Sequence, residues 1–281
     1  MSKHTFLLIH GAWHGAWCWD RLVQALEQQG HTAVAMDLPG HGSSSSSSTT
    51  TPGWHINLQS YVDAVNSTAR TIVEKDDNDD AAKVHVSVWS VQPYYCLEPD
   101  KIHLVMKLVG HSMGGIVVSC AAEQAPELYV SLTYVAAFLL QNGQSLTSFG
   151  RTMNAPAMMK AVSFPNLFRG YLEVRLEHTR ACFYNQCSEE DVNMANSHLC
   201  PQSIRPVMTA VQTTEENWGR IPRYYVFCEN DKALPIKYQR ELEGELPCHK
   251  TVSLATDHSP FVSGTAQLAA ALTDFAVHAE H

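Results

Sequence analysis

The stretch Leu108-Val109-Gly110-His111-Ser112-Met113-Gly114-Gly115 constrains the fold more than any other part of the chain. Five apolar residues, Leu104, Val105, Met106, Leu108 and Val109, lead into Gly-x-Ser-x-Gly. An apolar run that suits a helix, Ile116 to Ala122, follows it. The pattern reads as a strand, a sharp turn and a helix, with Ser112 at the apex. So crowded a turn excludes side chains at its flanks, which accounts for Gly110 and Gly114. The serine oxygen is left exposed, and the next backbone N–H, that of Met113, points at the reacting centre. Ser112 is therefore the candidate nucleophile.

A serine on such a turn calls for an acid and then a histidine further along the chain. Arg223 to Cys228 reads as a strand from its aromatic and β-branched residues, and Glu229-Asn230-Asp231 ends it. Thr251 to Leu254 reads as another strand, followed by Ala255-Thr256-Asp257-His258-Ser259-Pro260-Phe261. Among fifteen histidines, His258 stands out because it sits on the loop after the last predicted strand. It is expected to take the Ser112 proton and return it to the leaving alcohol, with Asp231 holding the imidazole tautomer. Glu229, two residues away, is the alternative acid, and a strand-end carboxylate such as Asp231 can instead simply cap the next helix. Asp257 is expected to structure the loop, because a residue adjacent to His258 is poorly placed to face its ring.

Attack on an ester creates an oxyanion that needs two preorganised N–H donors. Met113 supplies one. The second must come from the loop after the first apolar strand, Thr5 to Ile9, where His10-Gly11-Ala12-Trp13-His14 precedes a helix of about 20–29. Gly11 and Ala12 are small enough to admit an acyl group, and the second donor is assigned to Ala12. His10 is expected to brace this loop through hydrogen bonds.

Strand and helix signals alternate elsewhere. Strands are expected at 32–37, 102–109 and 130–137, and helices at about 58–74, 114–124, 235–243 and 264–278. This alternation predicts an α/β fold with a mostly parallel central sheet flanked by helices. Right-handed crossovers gather the loops at the carboxyl ends of the strands. A segment at 139–217 separates the strand at 130–137 from that at 223–228. It shows no convincing strand pair and is rich in methionine and aromatics, including Met153, Met158, Met159, Phe164, Phe168 and Tyr171. It reads as a mainly helical cap that excludes water and shapes an apolar pocket. The core is then 1–138 with 218–281.

Two stretches carry little signal. Ser43 to Ser48, with Thr49 to Gly53, reads as a surface loop. The acidic run Lys75 to Asp80 lacks calcium-loop spacing and reads as solvated, and the valines at 84, 86 and 88 suit a short extra strand or hairpin.

Together these segments resemble the α/β-hydrolase superfamily, and within it the esterase and hydroxynitrile lyase group that includes plant methyl esterases and bacterial carboxylesterases. The matching pieces are Phe6 to Trp19, Asp37-Leu38-Pro39-Gly40-His41-Gly42, Gly110 to Gly115, Trp218 to Tyr224 and Asp257-His258. The resemblance covers nearly everything except about 43–57 and 76–101. It implies ester hydrolysis through an acyl-enzyme, with a small-molecule ester as substrate and no metal or organic cofactor. Lyases of this group carry threonine where this chain has Gly11, and lysine where it has Ser259. Neutral Ser259 cannot stabilise departing cyanide, which argues against cyanohydrin cleavage. A non-enzymatic ligand receptor on the same fold is the other alternative. Receptors usually lose a triad member, and here Ser112, Asp231 and His258 are all present.

Composition limits the remaining classes. Nineteen basic against twenty-eight acidic residues leave a net charge of −9 and no basic footprint for nucleic acid. No run of about 20 apolar residues suggests a membrane span. The chain opens Met1-Ser2-Lys3-His4 and enters its first strand without an apolar leader, so a cytoplasmic enzyme is expected. Eight cysteines lack paired Cys-x-x-Cys spacing, and a reducing compartment keeps them as thiols. Cys182 and Cys187 are the pair near enough to bridge in a secreted chain. An exposed cap surface is a candidate for homodimer formation.

Overall fold

The computed structural model describes residues 2–42, 51–76, 106–152 and 163–279. The six-serine run, the valine-rich stretch after the acidic run, and Met153, Met158 and Met159 lie outside these described residues. So do residues 102–105 of the strand expected at 102–109.

Nine strands are described: β1 (Thr5–Ile9), β2 (Thr32–Met36), β3 (Met106–His111), β4 (Tyr129–Val135), β5 (Ser163–Asn166), β6 (Tyr171–Val174), β7 (Gln202–Ser203), β8 (Arg223–Cys228) and β9 (Lys250–Leu254). Six of them form one sheet in the order β2-β1-β3-β4-β8-β9. Every neighbouring pair in it is parallel. The helices are α1 (Asp20–Gln28), α2 (Leu58–Asp76), α3 (Gly114–Gln124), α4 (Leu146–Thr152), α5 (Leu176–Phe183), α6 (Glu189–His198), α7 (Ile204–Met208), α8 (Ile236–Glu245), α9 (Pro260–Ser263) and α10 (Thr265–His278).

The sequence of the central strands shows why both faces are covered. A parallel sheet flanked by helices has no wet side, so its strands are continuously apolar. Alternate residues then enter different cores. Leu7 and Ile9 of β1, Leu108 of β3 and Tyr225 and Phe227 of β8 join one core with Val62 and Val65 of α2 and Ile116 and Val117 of α3. Phe6 and Leu8 of β1, Val109 of β3 and Tyr224 and Val226 of β8 join the other, with Leu22 and Leu26 of α1 and Leu268, Leu272 and Phe275 of α10. Each fully buried Leu or Phe in such a core stabilises the fold by about 1.5–3 kcal/mol.

Parallel pairing also sets the register of the strand ends. Ile9 pairs with Gly110, Gly110 with Tyr134, and Cys228 with Leu254. The loops that leave β1, β3, β8 and β9 therefore emerge at one edge. They carry Ala12, Ser112, Asp231 and His258 respectively.

The cap segment between β4 and β8 departs from expectation. Its described residues contain α4 to α7 and also a three-stranded sheet in the order β5-β6-β7. The expectation of no strand pair there is corrected by the antiparallel pairing of Ser163–Asn166 with Tyr171–Val174. The pattern was illegible because each of these strands has four residues, too few to establish alternation, and β5 carries Pro165. The turn between them also puts Leu167 and Phe168 in solvent, at 65% and 95% exposure, where polar residues would have marked it. Gly170 closes that turn at φ +78°.

Candidate active site

Ser112 sits at the end of β3 with φ +52°, a left-handed conformation that non-glycine residues rarely hold. The glycines beside it are there for contact. A Cβ on Gly110 would stand 2.6 Å from Val118 Cγ2 and 2.7 Å from the Gly114 carbonyl oxygen. A Cβ on Gly114 would stand 2.8 Å from the Ile9 carbonyl oxygen, and one on Gly11 would stand 2.9 Å from Ser112 Cβ. The first loop and the serine turn are thus in backbone contact, and only glycine permits it.

The three residues expected to act together are joined in one chain of hydrogen bonds. His258 Nε2 and Ser112 Oγ are 3.1 Å apart, and His258 Nδ1 and Asp231 Oδ2 are 2.6 Å apart. With a neutral imidazole, Nδ1–H donates to the carboxylate and Nε2 accepts from the serine hydroxyl. Both partners of the His258–Asp231 pair are almost fully buried. Asp231 Oδ1 accepts from the Ala233 and Leu234 N–H groups at 2.7 and 2.8 Å, which fixes the carboxylate plane. Burial pushes the Asp231 carboxyl above the usual carboxylate range, and the paired imidazole pulls it back. Glu229, the alternative acid, lies on the surface 4.0 Å from Arg240.

The supporting assignments have definite partners. His10 Nδ1 is 2.8 Å from the Gly11 carbonyl, and His10 Nε2 accepts from the Leu38 N–H at 3.0 Å. These bonds tie the first loop to the loop after β2. Asp257 organises its own loop: Oδ1 accepts from Ser259 N and Ser263 Oγ, and Oδ2 from Gln186 N. Among the described residues, the Ala12 and Met113 N–H groups donate to no protein acceptor. A cavity of about 20 Å³ opens beside the serine, lined by Ala12, His14, Phe138, Phe183, Leu234 and His258 among others. That is room for about one water molecule.

Three residues of the site escaped the sequence reading. Gln239 of α8 donates to Asp231 Oδ2 at 3.1 Å and to the Leu234 carbonyl at 2.7 Å. His111 Nε2 is 2.7 Å from the His258 carbonyl, which ties the loops after β3 and β9 together. His14 lines the cavity and bonds to Tyr184 Oη at 2.7 Å. No local pattern announces these contacts: the partners of His111 and His14 lie far away in sequence, and Gln239, eight residues after Asp231, reads as an ordinary helix-surface glutamine. Phe138 and Phe183 line the cavity beside Ser112, whereas Phe168 points into solvent.

The site has an acid-sensitive foundation. Burial holds His14 and His41 down at about 4, and keeps His10 and His111 well below their ordinary value. All four are neutral when folded, whereas unfolded histidines titrate near 6.5. Between pH 6.5 and 4 the unfolded chain binds more protons, so stability falls as pH falls through this window. His14 and His41 each contribute roughly 3 kcal/mol to that loss. Denaturant midpoints are expected to drop clearly from pH 7 to pH 4.5. An unchanged or rising midpoint would contradict the buried neutral state.

Seven cysteines among the described residues are free thiols, Cys182 and Cys187 included. Among the described residues no group of three or more His, Cys, Asp or Glu side chains is placed to hold a metal. Among them, too, no helix is long and apolar enough to cross a membrane.

Comparison with known proteins places this geometry. The profile described as "Alpha/beta hydrolase family" matches residues 6–271. Methylesterase 7 of Arabidopsis thaliana is 27% identical, over 98% of this chain and 97% of its own. Putative methylesterase 13, chloroplastic, from the same plant is 26% identical over 92% of this chain. The chain spans 53% of that relative and 61% of Putative methylesterase 11, chloroplastic. Among solved structures, polyneuridine aldehyde esterase superposes with a TM-score of 0.79 at 22% identity, covering 98% of this chain and 100% of that one. A pyrethroid hydrolase from Sphingobium faniae JZ-2 superposes with a TM-score of 0.77 at 26% identity, covering 100% of both.

Proposed function

Because the chain belongs to the α/β hydrolase family, we propose that it is a serine carboxylesterase acting on small-molecule esters. The observation that carries this reading is the unbroken relay from Ser112 through His258 to Asp231, at 3.1 and 2.6 Å. The names of the relatives, methylesterases and a pyrethroid hydrolase, point to the same reaction class.

In the proposed reaction Ser112 Oγ attacks the ester carbonyl carbon as His258 Nε2 takes its proton. The tetrahedral oxyanion lies against the Ala12 and Met113 N–H groups. Collapse breaks the carbon–alkoxy bond, and the leaving alcohol receives the proton from His258. Water then attacks the acyl-serine by the same route, releasing the acid and restoring the hydroxyl. Asp231 stabilises the imidazolium at both stages without taking its proton. Residues 139–217 act as the cap over the core formed by 1–138 and 218–281.

Two features support hydrolysis over cyanohydrin cleavage. A side chain at Gly11 would collide with Ser112 Cβ at 2.9 Å, so the threonine of the lyases does not fit this backbone. Ser259, the position of their lysine, is fully buried and neutral. A receptor reading has no use for the intact relay.

The test is hydrolysis of a p-nitrophenyl ester series from acetate to palmitate, with and without a serine-directed fluorophosphonate. We expect turnover abolished by one adduct on the peptide bearing Ser112. Turnover without an adduct, or an adduct on a different serine, would overturn the assignment.

A further inference from the structure

The loop that offers the Ala12 N–H is strained and is held from outside. Trp13 has φ +64°, a left-handed conformation that costs a bulky residue roughly 1–3 kcal/mol and persists only where neighbours enforce it. Two histidines enforce it from within. His10 Nδ1–H holds the Gly11 carbonyl at 2.8 Å, and His14 Nδ1–H holds the Ala12 carbonyl at 2.8 Å. The peptide planes on both sides of Ala12 are thereby fixed. Its N–H cannot swing without breaking one of these bonds.

His14 depends in turn on the cap. Its Nδ1 carries the proton, so Nε2 is an acceptor. Among the described residues the hydroxyl bonded there is Tyr184 Oη, at 2.7 Å, from the residue that follows α5. Tyr184 and His14 are both almost completely buried, so no water replaces either partner. Further bonds bring the cap onto the same loop: Cys200 N–H donates to the Trp13 carbonyl at 2.9 Å, and Trp13 Nε1–H to the Leu172 carbonyl at 3.1 Å. From the core, His41 Nδ1 bonds the His14 carbonyl at 2.7 Å. Of these, only the Tyr184 bond ends on the ring that holds Ala12.

We propose that Tyr184 and His14 are positioning residues: the cap hydroxyl of Tyr184 fixes the His14 ring, which fixes the Ala12 peptide against Ser112. The cap therefore does more than shield the site from water. Its docking completes the oxyanion donor set. This inference rests on the reading of Ala12 as an oxyanion donor.

The test is Tyr184→Phe, which removes one hydroxyl and keeps the ring. A lost oxyanion donor costs about 10²–10³ in kcat, and a misaligned one costs less. With p-nitrophenyl acetate we expect kcat to fall about 10- to 100-fold while KM stays within about threefold. Affinity for a trifluoromethyl ketone, which forms an oxyanion on the serine, should fall by the same factor. A merely structural tyrosine would lower the melting temperature and leave that affinity unchanged. If Tyr184→Phe does not fold, His14→Asn carries the same test. Its amide N–H still reaches the Ala12 carbonyl, but the link to Tyr184 is cut. Wild-type kcat and ketone affinity in a folded variant would overturn the proposal. Wild-type protein with no turnover and no fluorophosphonate adduct would instead overturn the esterase reading, and the proposal with it.

Discussion

Ser112→Ala is expected to lower ester turnover by about 10⁵- to 10⁶-fold and to leave the protein folded. The change removes one oxygen. That oxygen is the atom 3.1 Å from His258 Nε2, and no other hydroxyl is bonded to that nitrogen among the described residues. Without it no acyl-serine forms, and the donors at Ala12 and Met113 are left to assist direct attack by water. A residual rate above solution hydrolysis is the expected sign of those donors. Stability should change by no more than about 1 kcal/mol, since alanine meets the same φ of +52° with a slightly smaller side chain. Turnover with purified Ser112→Ala at more than a hundredth of the wild-type rate would refute the nucleophile assignment.

The parts of this site that the sequence disclosed are those set by local geometry. Gly110 and Gly114 had to be glycine because a Cβ on either would fall within 3 Å of Val118 or of the β1 end, and the five-residue Gly-x-Ser-x-Gly spacing carries that requirement. The alternation of strand and helix signals likewise announced a parallel sheet. The places of Asp231 and His258 after strand ends singled them out as candidates, and adjacency to His258 set Asp257 apart, which bonds Ser259 and Ser263 beside it and Gln186 of the segment between β4 and β8. What stayed hidden was polar contact made through the fold. Gln239 looks like any surface glutamine of an amphipathic helix, yet it is buried under Asp231. His14 and Tyr184 are 170 residues apart, and nothing in either neighbourhood predicts the other. The cap hairpin was missed for a different reason: four-residue strands carry too few side chains to show a period of two.

Asp231→Asn separates chemistry from scaffolding, because it should disable one and spare the other. Asp231 Oδ1 accepts from two backbone N–H groups, so the asparagine carbonyl will occupy that position. The amide NH₂ is then turned toward His258 Nδ1, where Oδ2 had accepted at 2.6 Å. A donor facing Nδ1 forces that nitrogen to become the acceptor, and the ring proton moves to Nε2. In this tautomer Nε2 no longer accepts the Ser112 proton. The imidazolium of the transition state also loses its buried counter-charge. We expect kcat to fall about 10⁴-fold. Stability should change little, because the neutral amide keeps the two backbone bonds and removes a buried charge, while Gln239 Nε2 loses the Oδ2 acceptor it held at 3.1 Å. Glu229→Gln, on the exposed carboxylate two residues earlier, should leave both kcat and melting temperature unchanged. Asp231→Asn within tenfold of wild-type kcat, or an equal loss in Glu229→Gln, would move the acid role away from Asp231.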